Sequence, residues 1–371
     1  MGLSGLRRLG YRRISRYIGM RNIHILLFLF LSGLMLFSVP GFSRERDRVG
    51  GDFRRADKDG DGKLNHDEWR RRGNFDLLDA DKDGYLSLPE VRAMYEGNSE
   101  KSYDWPPPGF ERSALEYDSS AIGDIVDSDS LDRDVKCAIG RGRKCDSKPA
   151  VNRGLFETGL GPVFPENSVC RGIDDYFALD YTFKRNREAY HGGIDLPAPW
   201  GTPMIAVAAG TVVGKFMGEK SPRGIEIVLR HAPEDTGLPF WIYTGYAHLD
   251  RMPDVEVGQR LVLGEIIGPT GNSGISGKKR KRSHNRRPAI HFSAFYSETG
   301  AYAIRRDVII PMNGRWLDPI ALYRQKLPLD SRSMKALPEG EKGVSIPVMF
   351  EDRSTIPADT KFVWPYMCER G

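Results

Sequence analysis

The chain has 371 residues, which gives room for a sizeable hydrophobic core and predicts about two domains. Apolar residues make up 40% of it and charged residues 28%, the balance of a soluble globular protein. The net charge is +5, but residues 1–43 contribute +6 through six arginines and no acidic residue, which leaves −1 for the rest. Because the basic charge is concentrated at one end, nucleic acid is excluded as an expected partner.

The first segment, residues 1–43, has the parts of an export signal. An arginine-rich start precedes an apolar run over residues 23–37, and small residues follow over 38–43. The run fits a cleaved signal peptide, whereas its extension to residue 42 would suffice for a retained N-terminal membrane anchor. Both alternatives predict export to the periplasm or cell envelope, with membrane contact only through residues 23–42 if the segment is not cleaved.

Two acidic stretches of twelve residues come next, at 57–68 and 79–90. Each has aspartate at its first, third and fifth positions, glycine at the sixth and glutamate at the twelfth, which is the EF-hand calcium pattern. The predicted calcium ligands of the first loop are Asp57, Asp59, Asp61, the Lys63 carbonyl and Glu68. Those of the second loop are Asp79, Asp81, Asp83, the Tyr85 carbonyl and Glu90.

The two loops begin 22 residues apart, closer than in a typical EF-hand pair. The segment between them must therefore serve as the exit helix of one loop and the entry helix of the other. We predict a small α-helical EF-hand pair over residues 48–98, with Leu64 as the apolar residue that pairs with the second loop. Extracellular modules bind calcium with dissociation constants of about 10⁻⁴ to 10⁻³ M, which favours a structural or docking role.

Residues 99–149 are predicted to be a linker. A proline run at 106–108 favours an extended, polyproline-like conformation, and an acidic polar stretch follows at 119–134. The acidic stretch is interpreted as solvated linker, and the alternative is an inhibitory lid across the cleft of the following domain.

Residues 150–325 have the pattern of an antiparallel β domain. Alternating and β-branched runs recur at short intervals and are separated by glycine and proline turns. The runs lie at 204–213, 225–229, 241–247, 255–263 and 290–295. Residues 326–371 are interrupted by proline and are predicted to be an irregular C-terminal tail. The fold class is therefore a multidomain protein, mainly antiparallel β, with a small helical EF-hand pair.

Four cysteines, an even number without C-x-x-C spacing, fit disulfides in an oxidising compartment. We favour Cys137–Cys145, a short local loop, and Cys170–Cys368, which would tie the C-terminal tail to the start of the β domain. The sequence alone leaves three connectivities open.

A histidine, a carboxylate and a second histidine in the β domain suit a divalent metal. His191 and Asp195 are four residues apart, Tyr246–Leu249 contains His248, a glycine-rich turn spans 271–274, and His291 lies in the run 289–295. Alternation places Ala289 and His291 on the less apolar face of that run. Three protein ligands would leave the fourth position of a zinc ion open.

This order of motifs resembles the M23 (LytM/lysostaphin-type) zinc metallopeptidases, which cut peptide bonds in peptidoglycan. The resemblance extends over about residues 160–325. It implies zinc ligation by His191, Asp195 and His291, and a catalytic role for His248, which would stabilise charge as water attacks the carbonyl. Tyr246 would either support His248 or pack in the core. One position departs from the pattern, because the first histidine of the family's H-x-H is Ala289 here.

The resulting hypothesis is an exported zinc metalloendopeptidase that hydrolyses cross-bridge or stem peptides of peptidoglycan, with calcium bound by its EF-hands. Ala289 cannot move protons, so the alternative is a zinc-bound but silent module that regulates a wall amidase or binds the wall. A third hypothesis is a calcium-dependent wall adhesion module. Residues 278–287 carry seven positive charges and are interpreted as a solvated loop or as a steering patch for an anionic polymer. His284 within this loop is the only nearby substitute for the missing histidine.

Overall fold

The computed structural model describes residues 48–69, 75–96, 105–108, 116–141, 145–173, 191–276, 281–282 and 287–371. These residues belong to one compact unit, Asp47–Gly371. The predicted export signal, most of the basic loop with His284, and part of the predicted linker lie outside the described residues. Within the described part, no helix has the length and apolar character needed to cross a membrane.

The two acidic stretches form a small helical module of their own. Its elements are α1 (Arg48–Ala56), β1 (Lys63–Leu64), α2 (Phe75–Leu78), β2 (Leu86–Ser87) and α3 (Leu88–Glu96). β1 pairs with β2 in antiparallel register, with Leu64 opposite Leu86. Both leucines are fully buried in a cluster that includes Phe53, Trp69 and Val91. The predicted pairing of the loops through Leu64 is therefore confirmed.

The remaining elements are mostly short strands, as expected for a chain with frequent glycine and proline turns. The helices are α4 (Ser119–Gly123), α5 (Arg133–Gly140), α6 (Lys148–Asn152), α7 (Pro233–Thr236) and α8 (Ser331–Lys335). The strands are β3 (Gly161–Val163), β4 (Ser168–Val169), β5 (Ile194–Pro197), β6 (Pro203–Ile205), β7 (Gly210–Phe216), β8 (Ile225–His231), β9 (Trp241–Leu249), β10 (Arg260–Leu261), β11 (Ile266–Pro269), β12 (Ile275–Ser276), β13 (Lys281–Arg282), β14 (Ala289–Ser297), β15 (Tyr302–Ile304), β16 (Ile309–Pro311), β17 (Arg315–Leu317), β18 (Gly343–Ser345), β19 (Val348–Met349), β20 (Thr355–Ile356) and β21 (Glu369–Arg370). Short 3₁₀ turns lie at Ser128–Ser130, Pro319–Arg324 and Glu339–Glu341.

A seven-stranded antiparallel sheet organises the β domain, in the order β10-β7-β8-β9-β14-β17, with β5 also paired to β14. The mainly antiparallel β prediction is confirmed. Alternation along β14 sends Ile290 and Phe292 into the main hydrophobic core. The opposite face carries His291 and Ser293, and farther along the strand Phe295 joins a second apolar cluster.

The segment predicted to be a linker is not irregular where it is described. Helices α4, α5 and α6 place Ala121, Val135 and Ala150, respectively, in the second cluster, against the sheet. Arg230 of β8 is 1% exposed and pairs with Asp124 and Asp118, which fixes the acidic stretch to the sheet. The linker prediction is wrong for residues 116–141, because their apolar side chains pack in the second cluster and Asp118 and Asp124 pair with a buried arginine of the sheet.

The C-terminal tail is also not irregular, since it completes the main core. Phe362, Trp364 and Tyr366 are fully buried. β21 pairs with β4, and β18 pairs with β3 in parallel register. The two favoured disulfides, Cys137–Cys145 and Cys170–Cys368, are both present. The domain limits, including an end of the β domain at residue 325, stay predictions.

Candidate metal centre

The structure brings His191, Asp195 and His291 together. Each offers one donor atom, and the three atoms lie within 4.8 Å of one another. Asp195 Oδ1 is 3.2 Å from His191 Nε2 and 2.8 Å from His291 Nδ1. Two imidazole nitrogens and one carboxylate are the donor set of an open zinc site, so the residues fit this metal.

Strand register explains why these side chains meet. Asp195 of β5 is the Cα partner of His291 of β14, and partners in an antiparallel pair point to the same face. His191 precedes β5 by one turn through Gly192 and Gly193. A Cβ atom at residue 193 would lie 2.7 Å from the His291 ring, so only glycine allows this close approach.

The electrostatics of the cluster favour a cation. Burial alone would raise the pKa of Asp195, but the charge of His191 and hydrogen bonds from both histidines hold it well below its ordinary range. Burial lowers the pKa of His291 to about 4 despite its hydrogen bond to Asp195. The site therefore offers an ionised carboxylate and a neutral imidazole, the protonation states in which these groups bind metals.

His248 reaches the same face through a β-bulge. Ile225 pairs with Leu249 while Glu226 pairs with Ala247, so His248 lies between two consecutive pairs and has φ +70°. Its ring centroid is 5.8 Å from that of His291. His248 Nδ1 lies 2.9 Å from the Ser273 carbonyl in the glycine-rich turn.

The side chain of Tyr246 lies on the core face of β9, opposite the face that carries His248. It is fully buried in the main core beside Phe292, with ring centroids 5.4 Å apart. Its hydroxyl accepts a hydrogen bond from Val207 N at 3.0 Å. Tyr246 therefore packs in the core and does not serve as a supporting residue for His248.

Ala289 lies on the face of β14 that carries His291, as alternation predicts. It is 3% exposed, and its Cα partner is Pro197. A methyl group here carries no acid–base chemistry, so the departure from the H-x-H pattern lies on the strand face that carries the metal cluster.

Two further features of the site have no sequence motif. Arg141, at the end of α5, donates a hydrogen bond from Nη1 to the His191 carbonyl at 2.8 Å. Glu226 shares a row with Ala247 and His291 across three strands, is 3% exposed, and pairs with Arg223 at 3.1 Å. Burial raises the pKa of Glu226 even though Arg223 opposes the shift. Arg141 lies 50 residues before His191, and no local pattern could have identified it.

Both predicted calcium loops have inward-turned acidic side chains. One group comprises Asp57, Asp59 and Asp61, and the other comprises Asp79, Asp81 and Glu90. In each group, donor atoms of the three residues lie within 4.8 Å of one another. Glu68 and Glu90 occupy equivalent positions, because each accepts a hydrogen bond at 2.8 Å from the backbone N–H of its loop's second residue.

The side chains of Lys63 and Asp83 link the two loops. Lys63 Nζ lies 2.8 Å from Asp83 Oδ2. The Lys63 carbonyl and the Asp83 carboxylate are predicted ligands of different calcium ions, so this ion pair joins the sites directly. Tyr85, predicted to give its carbonyl, donates its N–H to Asp83 at 2.8 Å.

Comparison with known families agrees with this architecture. Residues 189–302 match peptidase family M23, and residues 51–71 and 75–95 match the EF hand. The chain thus combines two EF-hand motifs with a later segment that matches a peptidase family. More particularly, the match to peptidase family M23 falls on the segment that carries His191, Asp195, His248 and His291, as the motifs predicted.

Two curated relatives match a short part of the chain. The DD-carboxypeptidase/endopeptidase Mpg of Neisseria meningitidis serogroup B is 38% identical over 86 residues, which is 23% of this chain and 17% of that protein. An uncharacterized metalloprotease of Haemophilus influenzae is also 38% identical over 86 residues, covering 23% of this chain and 16% of that protein. The chain thus matches less than a fifth of the length of either relative.

Solved structures give partial superpositions. The catalytic domain of lysostaphin from Staphylococcus simulans is 22% identical, with 32% of this chain and 77% of that chain covered and a TM-score of 0.25. A zinc-containing peptidase from Vibrio cholerae is 20% identical, with coverages of 48% and 41% and a TM-score of 0.28.

Proposed function

We propose that the protein is an exported zinc metalloendopeptidase that hydrolyses peptide bonds in the cross-bridges or stem peptides of peptidoglycan. The observation that carries this proposal is the convergence of His191, Asp195 and His291 within 4.8 Å, with the ring of His248 beside them. The M23 match and the Mpg relative, a DD-carboxypeptidase/endopeptidase by name, support the substrate class.

The three clustered residues would hold the metal, and each is positioned by the fold. Asp195 and His291 are aligned by strand pairing, and His191 is held by the turn before β5. When bound, zinc supplies a Lewis acid that activates water and polarises the scissile carbonyl.

His248 would act on the substrate itself. The Ser273 carbonyl can only accept, so Nδ1 of His248 carries the proton of this hydrogen bond. Nε2 is then the nitrogen that can accept a proton, or donate one when the ring is charged. In this role it would stabilise the negative charge that develops on the carbonyl oxygen.

The alternative function is favoured by one observation, the alanine at 289. Without an acid–base group there, the domain would hold zinc without turnover, and would regulate a wall amidase or bind peptidoglycan. Export, calcium binding by the EF-hands and an envelope location belong to both functions. In both, the calcium pair is a structural or docking element.

The test is digestion of purified peptidoglycan by the mature protein loaded with one zinc ion per chain. New amino groups are counted and compared with His191→Ala, which removes one ligand. Release that disappears in His191→Ala supports the peptidase. If the protein binds zinc and the wall but releases no amino groups, the peptidase proposal is wrong and the catalytically silent module is the function.

A further inference from the structure

The C-terminal end of α5 contacts the backbone of the first metal-site residue. Arg141 follows α5 in a left-handed conformation, with φ +47°, and its N–H donates to the Cys137 carbonyl at 3.2 Å. The Cys137–Cys145 disulfide closes the loop that contains it. From this position Arg141 Nη1 donates to the His191 carbonyl at 2.8 Å.

The turn after His191 is pressed against the same surface. Gly192 has φ +79°, and a Cβ atom there would lie 2.4 Å from Arg141 Nη1 and 2.7 Å from Trp316 Cη2. Trp316 is held in turn by α5, because its Nε1 donates to the Ala138 carbonyl at 3.0 Å. The Arg141 guanidinium lies 5.7 Å from the Trp316 ring centroid. Arg141 and Trp316 thus form the wall that locates the His191–Gly192 turn.

We propose that Arg141 is a positioning residue for the metal centre, and that the Cys137–Cys145 disulfide keeps it in place. By fixing the His191 carbonyl, Arg141 sets where the imidazole of that residue meets Asp195 and His291. The inference rests on the proposed zinc site. It assigns to residues 133–141 and Cys145, which lie outside the M23 match at 189–302, a part in building the site.

Metal geometry makes such a contact consequential. Zinc–nitrogen bonds are about 2.0–2.1 Å long, so a ligand displaced by a fraction of an ångström binds poorly. Removing a group that orients a ligand typically costs about 10- to 100-fold in metal affinity. Gly192 lacks a side chain that could hold the turn, and the backbone bond from Arg141 supplies that restraint.

The experiment measures zinc affinity of the full chain by competition with a chromophoric chelator, without substrate. Arg141→Ala is expected to weaken binding about 10- to 100-fold, and Arg141→Lys, which keeps a donor, to weaken it less. Arg133→Ala removes an exposed arginine at the other end of α5 and is expected to leave affinity unchanged. The double variant Cys137→Ser/Cys145→Ser is expected to weaken binding although Arg141 is intact.

The melting temperature of the zinc-free protein separates positioning from folding. The loss of one hydrogen bond is expected to lower the melting temperature by about 2–4 °C in a domain of this size. The proposal is overturned if Arg141→Ala binds zinc as the wild type does, or if Arg133→Ala weakens binding equally. A larger fall in melting that Arg141→Lys does not repair would also overturn it. If the wild type binds no zinc, the proposed function is wrong, and this inference, which depends on it, is wrong as well.

Discussion

Ala289 and Pro197 are cross-strand partners, two residues along the same two strands from the His291–Asp195 pair. The methyl group of Ala289 therefore points to the face that carries the metal cluster. A side chain placed there would be directed along that face toward the site, which makes position 289 the sharpest test of activity.

Replacing Ala289 by histidine is expected to raise peptidoglycan hydrolysis by about 10²-fold, the lower end of what a positioned proton-transfer group contributes. Release of new amino groups measures the rate. Ala289→Gln, similar in size but without a titrating group, serves as the control. Equal rates in the native and histidine proteins would show that another group moves the proton. Equal acceleration by glutamine would show that bulk, and not proton transfer, is responsible.

His248→Ala is expected to reduce turnover about 10² to 10⁴-fold while leaving zinc affinity unchanged. The reason is that His248 is held by the Ser273 carbonyl and takes no part in the three-residue cluster. Zinc competition and amino-group release measure the two quantities separately. His66→Ala, which alters a histidine of the calcium module, should change neither. A parallel loss of zinc in His248→Ala would make His248 a ligand.

Removing calcium is expected to destabilise the EF-hand pair and to leave the melting of the β domain unchanged. Without a cation the clustered carboxylates repel one another, because each loop concentrates several within 4.8 Å. Calorimetry with and without a calcium chelator should show one shifted transition. Glu68→Gln and Glu90→Gln should reproduce the shift, and Glu219→Gln, an exposed change in the β domain, should not. Two transitions that shift equally would contradict a division into modules.

The disulfide Cys170–Cys368 joins residues 198 positions apart. Closing so long a loop restricts the unfolded chain strongly, so Cys170→Ser/Cys368→Ser is expected to cost roughly 2–5 kcal/mol. Urea unfolding measures the change. The Cys137–Cys145 bond spans only 8 positions, so its removal should lower the free energy of unfolding by less. The reverse order would mean that the β21–β4 pairing already restrains the unfolded ends.

His231 predicts a specific loss of stability in acid. Burial lowers its pKa to about 4, although the Ala209 carbonyl accepts a hydrogen bond from its Nδ1. Below about pH 6.5, the ordinary pKa of histidine, His231 is protonated in the unfolded chain but stays neutral in the folded protein. The free energy of unfolding therefore falls as the pH drops from about 6.5 to 4. The loss attributable to His231 is roughly 3 kcal/mol at most. The free energies of unfolding in urea of the wild type and His231→Gln should differ at neutral pH, and this difference should shrink in acid. A constant difference across this range would refute the assignment.

Local patterns made part of this molecule predictable. The calcium loops depend on residues within twelve positions, and the strands of the sheet follow alternation over seven to nine residues, as in β8 and β14. His191, Asp195 and His291 could be selected because each lies in a short motif.

The rest depends on partners far along the chain. β18 has three residues, and its partner β3 lies about 180 positions earlier, so neither shows a pattern of its own. The same holds for α4, because its flanking Asp118 and Asp124 pair with Arg230, which lies far along the chain. At His248, alternation alone would have placed the ring on the face of Tyr246, and only the bulge moves it.

β21, near residue 370, pairs with β4, near residue 168, and Trp364 just before β21 is fully buried. This pairing has a consequence for biosynthesis. The core to which residues near 170 contribute is complete only when residues near 368 have left the ribosome. Most of the polypeptide is therefore made before its folding can finish, unlike a chain whose neighbouring segments fold in turn. Any factor that captures an unfolded nascent chain has that whole interval in which to act.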